Sequence, residues 1–398
     1  MKIGIIKETK IPGDSRAPLT PDQAAHLIRE QKMDLVVQSS TDRIFTDEEY
    51  RSLEVPVVND VSDRDILLGV KEVKEEELIP GKTYFFFSHT IKAQPYNRDL
   101  LRETLKKEIK LIDYEVLTDE TGSRLIAFGR FAGIVGAHNA IMTFGRREEL
   151  FDLPRLKDLK DYREAREIYK SVKIPPMKVI LTGKGRVGGG AAEVLTDMGF
   201  GLVSPDKYLN NSFNSPVYCH IGPEEYVRHS KGSPFDRDHF YQYPEEYESA
   251  FEPFMEKSDI FINGIYWDKK APAFFTAEEM RSEKFGIEVI ADITCDIAPE
   301  SSVPSTLRPS TIDDPVYGYN PFTEKEVAPF LNGAVDVMAI DNLPNELPRD
   351  ASESFGKQFI DRILPELFRN DSEIIKRATI AENGALGDYF TYLQDYVG

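Results

Sequence analysis

A glycine-rich hexapeptide, GKGRVG at 183–188, has the spacing of a dinucleotide-binding turn. It follows the apolar segment KVIL and precedes AAEVLTDMG, so it stands between a predicted strand and a predicted helix. Glycines in this context let backbone N–H groups approach a pyrophosphate at the N-terminus of the helix. We therefore expect a dinucleotide site at this turn. Its expected contacts are Gly183, Gly185, Arg186, Val187 and Gly188.

The choice between NAD and NADP depends on an acidic residue about 20 positions further along the chain. Asp206 stands at about that distance from Gly185, close to the end of the next apolar segment, FGLV. A carboxylate there accepts hydrogen bonds from the ribose diol and repels a 2′-phosphate, which favours NAD. NADP is the alternative cofactor, because Lys184 and Arg186 are cations that could face a phosphate.

Three charged side chains lie at the predicted ends of strands in the first third of the chain. Lys71 follows DILLGV, His89 follows TYFFFS, and Arg16 lies in the loop after the first strand. Ligands in open α/β sheets bind at the carboxyl ends of the strands. A buried lysine beside other cations titrates well below about 10.4, and histidine titrates close to neutrality, so both could move protons. Arginine can bind a carboxylate with two parallel hydrogen bonds.

The elements that position these residues alternate between strands and helices, which indicates an α/β fold with mostly parallel sheets. Capping patterns predict helices that begin after Thr20 and Thr46. A second alternating unit begins at residue 178. The predicted strands are 1–7, 34–40, 65–70, 83–88, 110–117, 124–129, 178–183, 259–267 and 288–296. The apolar stretch FAGIVGAHNAIMTFG is expected to form a packed helix, and the charged segment 154–173 a solvated crossover between domains.

The charge balance excludes several classes of partner. The chain has 49 Lys+Arg against 68 Asp+Glu, a formal net charge of −19, and no basic stripe for nucleic acid. No apolar run approaches the ~20 residues that span a membrane, and MKIGIIKETK lacks the pattern of a signal peptide. Cys219 and Cys295 are too few for a disulfide framework, and the spacing of His229 and His239 predicts no metal site. We expect a cytoplasmic protein.

Eight segments, in the same order along the chain, resemble the alanine dehydrogenase superfamily. Within it they are most similar to the branch of the lysine-forming saccharopine dehydrogenases and the lysine–ketoglutarate reductase domain. The resemblance covers most of the chain. The segments are Lys7-Glu8 with RAPLTP (16–21), GVKE (69–72), FFSHTIKAQ (86–94), IDYE (112–115), RLIAFGRFAG (124–133), INGIYW (262–267), DITCDI (292–297) and IDNLPNELPRDAS (340–352).

The resemblance implies two doubly wound, Rossmann-like domains with an active-site cleft between them. Residues 1–135 with about 340–398 would form the substrate domain, and 136–339 the dinucleotide-binding domain. The implied reaction is reversible: saccharopine, NAD and water give lysine, 2-oxoglutarate and NADH through an imine and a carbinolamine. The segment from Asp206 to Ala250 has a counterpart in the reductase branch, which is linked with NADP.

The resemblance also implies roles for individual residues. Lys71 would act on the amine, imine and carbinolamine protons, and His89 on the water that adds to C=N. Asp14 stands where the superfamily often has glutamate. The remaining implied roles are Glu72 and Glu115 in holding and tuning the lysine, Arg16, Lys92 and Arg124 in binding substrate carboxylates, and Ile265 and Asp341 at the cofactor.

Two other functions remain open from the sequence. One is an alanine dehydrogenase, or another opine-type imine reductase with a different amine and keto acid. The other is a non-catalytic protein that senses the dinucleotide, against which the presence of both Lys71 and His89 argues. The expected partners are small molecules, and the sequence is compatible with a homo-oligomer. Because saccharopine carries three carboxylates, the hypothesis requires a locally positive cleft within an acidic protein.

Overall fold

A computed structural model describes residues 1–398 and contains eighteen strands. The strands are β1 (Lys2–Ile5), β2 (Asp34–Gln38), β3 (Val57–Val58), β4 (Ile66–Leu68), β5 (Thr83–Phe86), β6 (Lys110–Asp113), β7 (Lys178–Thr182), β8 (Gly201–Leu202), β9 (Val217–Ile221), β10 (Val227–His229), β11 (Tyr247–Ser249), β12 (Ile260–Asn263), β13 (Val289–Asp292), β14 (Tyr317–Asn320), β15 (Lys325–Val327), β16 (Val335–Met338), β17 (Thr379–Glu382) and β18 (Ala385–Leu386).

Thirteen α-helices connect or flank the strands. They are α1 (Pro21–Gln31), α2 (Asp47–Ser52), α3 (Arg98–Lys106), α4 (Gly129–Arg147), α5 (Tyr162–Tyr169), α6 (Arg186–Asp197), α7 (Pro205–Asn210), α8 (Pro223–Tyr226), α9 (Arg237–Gln242), α10 (Glu252–Met255), α11 (Pro348–Gln358), α12 (Glu373–Ala378) and α13 (Gln394–Val397). The predicted capping boxes at Thr20 and Thr46 are both present, each closed by the side chain three residues on. No helix combines the length and apolarity needed to cross a bilayer.

The chain divides into two compact units. The first unit consists of Met1–Phe128 and Pro348–Gly398, and the second of Gly129–Leu347. The packed helix predicted from FAGIVGAHNAIMTFG is α4, and it belongs wholly to the second unit because that unit begins at Gly129.

The first unit is built on an eight-stranded sheet in the order β18-β17-β6-β5-β4-β1-β2-β3. The strands from β3 to β6 are parallel and follow the 3-2-1-4-5-6 order of a doubly wound fold. Alternate residues of β4 enter different cores: Ile66 and Leu68 pack on one face, and Leu67 packs on the other. The C-terminal segment adds β17 antiparallel to β6, so it completes this sheet.

The second unit contains another eight-stranded sheet, in the order β15-β14-β16-β13-β12-β7-β9-β8. Six strands are parallel, and β14 and β15 form an antiparallel edge. Strand β9, not β8, lies directly beside β7. The predicted fold class, two Rossmann-like α/β units with mostly parallel sheets, is confirmed.

Two local predictions were wrong. Residues 124–129 form no strand beyond a single bridge between Thr118 and Arg124. Both edges of the neighbouring strand β6 are already paired, one with β5 and the other with β17, so a further strand has no ladder to join. The charged segment 154–173 is no crossover between units, because it lies within the second one and buries Tyr162, Ala165 and Tyr169 of α5.

Candidate active site

The first unit gathers its functional side chains at the carboxyl edge of its parallel sheet. Lys71 stands three residues past β4, and His89 three residues past β5. Because β4 and β5 are adjacent and parallel, both residues emerge on the same edge of the sheet. Arg16 lies in the loop after β1, which pairs with β4 on its other side. The predicted acid–base pair and one predicted substrate ligand therefore come from three neighbouring strand ends.

The backbone that carries Lys71 is held by Glu8. The carboxylate of Glu8 accepts the N–H of Val70 at 2.7 Å and the N–H of Lys71 at 2.8 Å, one on each oxygen. Burial raises the pKa of Glu8 to about 8, and the charge of Asp14 acts in the same direction, against the two N–H groups. The sequence had placed Lys7-Glu8 in a matching motif without a role for the carboxylate.

Lys71 has a lowered pKa. Burial is the largest cause, and the nearby charges of Arg16 and Lys10 add to it, while Asp14 and Glu72 oppose it. This agrees with the expectation that a lysine buried beside cations would titrate below its usual range. A lowered pKa increases the fraction of the lysine that is neutral at a given pH, and the neutral amine can accept a proton.

His89 occupies a strained backbone conformation, with φ of 54°. The preceding residue is tied to the next strand, because Ser88 donates both its N–H and its hydroxyl to the buried carboxylate of Asp113, at 2.9 and 2.5 Å. The left-handed region costs a non-glycine residue roughly 1–2 kcal/mol, so the surrounding contacts must hold His89 there. Asp113, which the sequence reasoning missed, is the residue that anchors this loop.

The ring of His89 is oriented by Glu72. Its Nδ1 atom lies 2.5 Å from Oε1 of Glu72, and the other carboxylate oxygen lies 2.8 Å from the ammonium of Lys10. Burial alone would raise the pKa of Glu72, but the hydrogen bond and charge of His89, with Lys10, lower it to about 2. Glu72 was predicted to hold Lys71; its direct partners are His89 and Lys10.

Arg16 is buried and bound to Asp14. Its Nε lies 2.9 Å from Oδ1 and its Nη2 2.5 Å from Oδ2, a two-pronged ion pair. The guanidinium also lies over the ring of Phe128, 4.2 Å from the ring centre. The aspartate therefore already uses the fork of Arg16 that was predicted to bind a substrate carboxylate. Asp14, where glutamate was noted as usual, is the residue that positions Arg16.

The two other predicted substrate cations are exposed. Arg124 forms a 2.7 Å ion pair with Glu115, whose side chain is itself mostly buried. Glu115 was predicted to hold the lysine; the ion pair that it forms in this structure is with Arg124. Lys92 lies in a short 3₁₀ turn after His89 and faces solvent.

The C-terminal tail contacts the loop that carries His89 and Lys92. Tyr392 donates its hydroxyl to the carbonyl of Ile91 at 3.1 Å, and Tyr396 donates to the carbonyl of Gln94 at 2.5 Å. These contacts join positions about 300 residues apart in the chain, which no local sequence pattern indicates.

The glycine-rich turn of the second unit has the geometry that a dinucleotide requires. Gly183 has φ of 92°, and a Cβ there would stand 2.3 Å from the carbonyl oxygen of Gly264, so no other residue fits. A Cβ at Gly185 would meet nothing within 4 Å. Protein packing does not demand glycine at 185, whereas close approach of a pyrophosphate to the backbone does. The residues present therefore fit a dinucleotide.

Helix α6 begins at Arg186 and its N-terminus is set by backbone contact with α4. A Cβ at Gly133 would stand 1.9 Å from the carbonyl oxygen of Val187, and one at Gly190 would stand 1.9 Å from that of Arg130. Small residues on both helices thus let the backbones touch. This fixes where the positive end of the α6 dipole lies relative to the turn.

A cavity of about 640 Å³ opens beside the glycine-rich turn. This volume lies in the range of small-molecule and cofactor sites. Its aromatic lining consists of Tyr226, Phe240, Tyr241, Tyr266, Trp267 and Phe274. Ile265, predicted to contact the cofactor, also lines it. The carbonyl of Ile265 is held by the hydroxyl of Thr294 at 2.9 Å.

The acidic residue beside this turn is not Asp206. Asp206 is exposed in the first turn of α7, where its carboxylate accepts from the side-chain amide of Asn210 at 3.0 Å. Because β9 rather than β8 neighbours β7, the acidic group nearest the turn follows β9. Glu224 pairs with Lys184 of the glycine-rich turn at 2.7 Å and with Arg237 at 3.1 Å. Burial alone would raise the pKa of Glu224, but Lys184 and Arg237 lower it to about 2.

A buried polar network crosses the carboxyl ends of β7, β12 and β13. Thr182 donates its hydroxyl to Asn263 at 3.1 Å, and Asn263 donates to Asp292 at 2.8 Å. Burial raises the pKa of Asp292 to about 6, against hydrogen bonds from Thr306 and Asn263. Asp341, the other residue predicted at the cofactor, follows β16 and is exposed.

Two histidines and a glutamate meet in the segment between 206 and 250. The Nε2 atoms of His229 and His239 lie 3.5 and 4.0 Å from Oε2 of Glu246. The Nδ1 atom of His229 accepts the N–H of Lys231 at 3.1 Å, so the neutral ring carries its proton on Nε2, facing the carboxylate. A metal would have to displace that proton. The three side chains form a partly buried polar cluster.

Comparison with known proteins agrees with this geometry. Residues 4–135 match the model of the alanine dehydrogenase/PNT N-terminal domain. The chain is 30% identical to alpha-aminoadipic semialdehyde synthase of Arabidopsis thaliana, over 98% of this chain and 41% of that protein. It is 27% identical to saccharopine dehydrogenase [NAD(+), L-lysine-forming] of Emericella nidulans, over 95% of both.

The chain spans less than half the length of the semialdehyde synthases that it matches. A solved L-alanine dehydrogenase superimposes over the full length of both chains with a TM-score of 0.66, at 17% sequence identity. At that identity the superposition shows a shared fold.

Proposed function

Because this chain is homologous to the lysine-forming saccharopine dehydrogenases over most of its length, as its motifs predicted, we propose that it interconverts saccharopine with lysine and 2-oxoglutarate. The observation that supports this most strongly is the joint position of Lys71 and His89. A lysine with a lowered pKa and a histidine oriented by Glu72 stand on one sheet edge, as a reaction with two separate proton transfers requires.

In the direction of saccharopine oxidation, Lys71 acts first. Its neutral amine accepts the proton of the secondary amine of saccharopine, so that the nitrogen lone pair can form the C=N bond as hydride leaves the glutarate α-carbon. NAD supplies the hydride acceptor when bound. The lowered pKa of Lys71 increases the neutral fraction of its amine, and burial together with the charges of Arg16 and Lys10 causes that shift.

His89 then serves the water that adds to the imine. Glu72 accepts from Nδ1, which leaves Nε2 with a lone pair that can take a proton from water. Addition gives a carbinolamine, and Lys71, protonated in the first step, gives its proton to the nitrogen. As the C–N bond breaks, the hydroxyl proton of the carbinolamine passes to the neutral amine of Lys71 and the C=O bond of 2-oxoglutarate forms. Lysine and 2-oxoglutarate are released. The anionic Glu72 stabilises the imidazolium that forms on His89.

Binding of the substrate carboxylates falls to Arg124, Lys92 and Arg16. Arg124 and Lys92 are exposed cations beside the Lys71 and His89 strand ends, so they can meet a carboxylate directly. The buried Arg16 would share its guanidinium between Asp14 and the substrate. Arg16 and Lys10 lie close enough to Lys71 for their charges to lower its pKa, in a chain whose net charge is −19.

The proposed cofactor is NAD, held by Gly183, Gly185, Arg186, Val187 and Gly188, with Ile265 and Asp341 at the nicotinamide end. We assign the ribose-binding carboxylate to Glu224 in place of Asp206, since Glu224 contacts the turn itself. NADP is the alternative, because Lys184 and Arg237 lie on either side of that carboxylate. Both cysteines are free thiols, which favours the proposed cytoplasmic location.

Absorbance of NADH tests the proposal. The protein is mixed with NADH, 2-oxoglutarate and lysine, and separately with NADH, pyruvate and ammonia. Oxidation in the first mixture, with saccharopine identified by mass spectrometry, is the expected result. Oxidation in the second mixture alone would assign an alanine dehydrogenase activity instead. Absence of oxidation in both, with NADH still bound, would indicate a dinucleotide-sensing protein.

A further inference from the structure

The carboxylate of Glu8 lies where the backbone pairing of the first sheet ends. The register between β1 and β4 runs from Ile3–Ile66 to Ile5–Leu68, and Ile6 makes one more bond to the Leu68 carbonyl. Past Leu68, the N–H groups of Val70 and Lys71 donate to the side chain of Glu8. A single carboxylate therefore accepts two consecutive N–H groups, which a regular strand would direct to opposite sides.

On the opposite side of the chain the ladder with β5 continues one step further, because Phe87 donates its N–H to the carbonyl of Val70 at 3.0 Å. Val70 is thus fixed from both sides, and Lys71 is fixed from the Glu8 side. Both N–H groups point at different oxygens of the same carboxylate, which restricts rotation of the peptide between them. The direction in which the Lys71 side chain leaves the sheet follows from this pair of bonds.

The surroundings of Glu8 are polar and charged. Asp14 raises and Arg16 lowers the pKa of Glu8, and the charge of Glu8 in turn raises that of the buried Tyr114. The hydroxyl of Tyr114 has no hydrogen-bond partner within the structure. Glu8 is therefore linked electrostatically to Asp14 and Arg16, and Arg16 is a main cause of the lowered Lys71 pKa.

We propose that Glu8 is a positioning residue for Lys71: by binding the consecutive N–H groups of Val70 and Lys71, it sets the place from which the lysine amine reaches the substrate. This proposal rests on the proposed function only for the identity of the substrate. The effect of Glu8 on the position of Lys71 does not depend on that function.

Glu8→Gln is the direct test, because the amide group of glutamine would confront one N–H donor with another and keep only one of the two bonds. The expected result is a fall in kcat of about 10–100-fold, since small misplacements of a catalytic group cost that much. The KM for saccharopine and the affinity for NADH should change less than threefold. The pH at which Lys71 deprotonates should also shift.

Glu8→Asp and Glu30→Gln complete the series. Aspartate keeps both carboxyl oxygens but is shorter by one methylene, so it should recover part of the lost kcat and of the pH shift. Glu30 is exposed on α1, so Glu30→Gln should behave as the wild type. A Glu8→Gln protein with wild-type kcat and an unchanged pH profile would overturn the proposal. The proposal would also be overturned if Glu8→Gln lowered NADH affinity and thermal stability as well as kcat, and Glu8→Asp recovered none of them.

Labelling of Lys71 by an amine-specific reagent, followed by mass spectrometry across pH, separates this proposal from the function on which it rests. If the wild type does not turn over saccharopine, the proposed function fails, but a shifted labelling midpoint in Glu8→Gln still supports the positioning role. If Glu8→Gln does not fold, the same labelling is done on Glu8→Asp. A midpoint equal to that of the wild type there contradicts the proposal.

Discussion

The Nδ1 atom of His89 lies 2.5 Å from Oε1 of Glu72, although the two residues follow different strands of the sheet. The second oxygen of Glu72 contacts Lys10, so one carboxylate joins the loops after β1, β4 and β5. Glu72 is adjacent to Lys71 in the chain. The residue that orients the histidine is therefore joined by a peptide bond to Lys71, the other proposed proton-transfer group.

Replacing Lys71 with methionine should reduce kcat by about 10²–10⁴-fold, the range typical of a lost acid–base group. NADH binding, measured by fluorescence, should stay nearly unchanged, because the glycine-rich turn belongs to the second unit. If Lys71→Met lost NADH binding to the same degree as turnover, Lys71 would be structural.

The rate of saccharopine oxidation should rise with pH, with a midpoint below the ordinary lysine pKa of 10.5. The reaction needs the neutral amine of Lys71, and burial with the nearby Arg16 and Lys10 lowers the pKa of this group. Initial rates between pH 5 and 10 measure this. In Lys10→Met one cation is removed, so the rise should move to higher pH; a shift to lower pH would contradict the electrostatic assignment.

Glu72→Gln should change the pH dependence of the free energy of unfolding. The pKa of Glu72 in the folded chain is about 2, below its ordinary value of 4.5, so its stabilisation is complete above pH 4.5 and is lost as the pH falls towards 2. Between pH 4.5 and pH 2 the free energy of unfolding of the wild type should fall by up to about 3 kcal/mol more than that of Glu72→Gln. Urea unfolding at pH 3 and pH 6 measures the difference, with Glu30→Gln as the control. Equal losses in both proteins would exclude the low pKa.

Replacing the two proposed substrate-binding arginines, Arg16 and Arg124, should have different effects on stability and on substrate binding. Arg16→Gln leaves the buried Asp14 without its partner, so it should reduce the free energy of unfolding by about 3–5 kcal/mol. Arg124 is half exposed, so Arg124→Gln should cost less than about 1 kcal/mol and raise the KM for saccharopine about 10–100-fold. Urea titrations and initial rates give both quantities. A stability loss at Arg124 equal to that at Arg16 would argue against this division of roles.

Replacing Glu224 should change the preference of the enzyme between NADH and NADPH. Glu224→Ser removes the anion between Lys184 and Arg237, so the ratio of kcat/KM for NADPH to that for NADH should rise at least about tenfold. Glu252→Gln, an exposed change on α10, is the matched control. If Asp206→Asn changed the ratio and Glu224→Ser did not, the original sequence-based assignment would be correct.

Features that depend on neighbouring residues were predictable from the sequence. The capping boxes at Thr20 and Thr46 use side chains three residues away, and the GKGRVG turn lies between a strand and a helix that are both local patterns. Lys71 and His89 were placed correctly at strand ends because apolar runs mark where strands stop. The family resemblance also rests on short local motifs. The similarity to a saccharopine dehydrogenase over 95% of the chain confirms it.

Only the tertiary structure decided which strand lies beside β7, and with it which carboxylate meets the glycine-rich turn. Strand β8 has two exposed residues and stays at the edge, whereas the buried β9 takes the inner position, so Glu224, which follows β9, contacts Lys184 of the turn. The partners of Glu72, Arg16 and Glu8 were decided in the same way. Hydrogen bonds and ion pairs join groups that are close in space, and strand order brings them together from positions the chain leaves far apart.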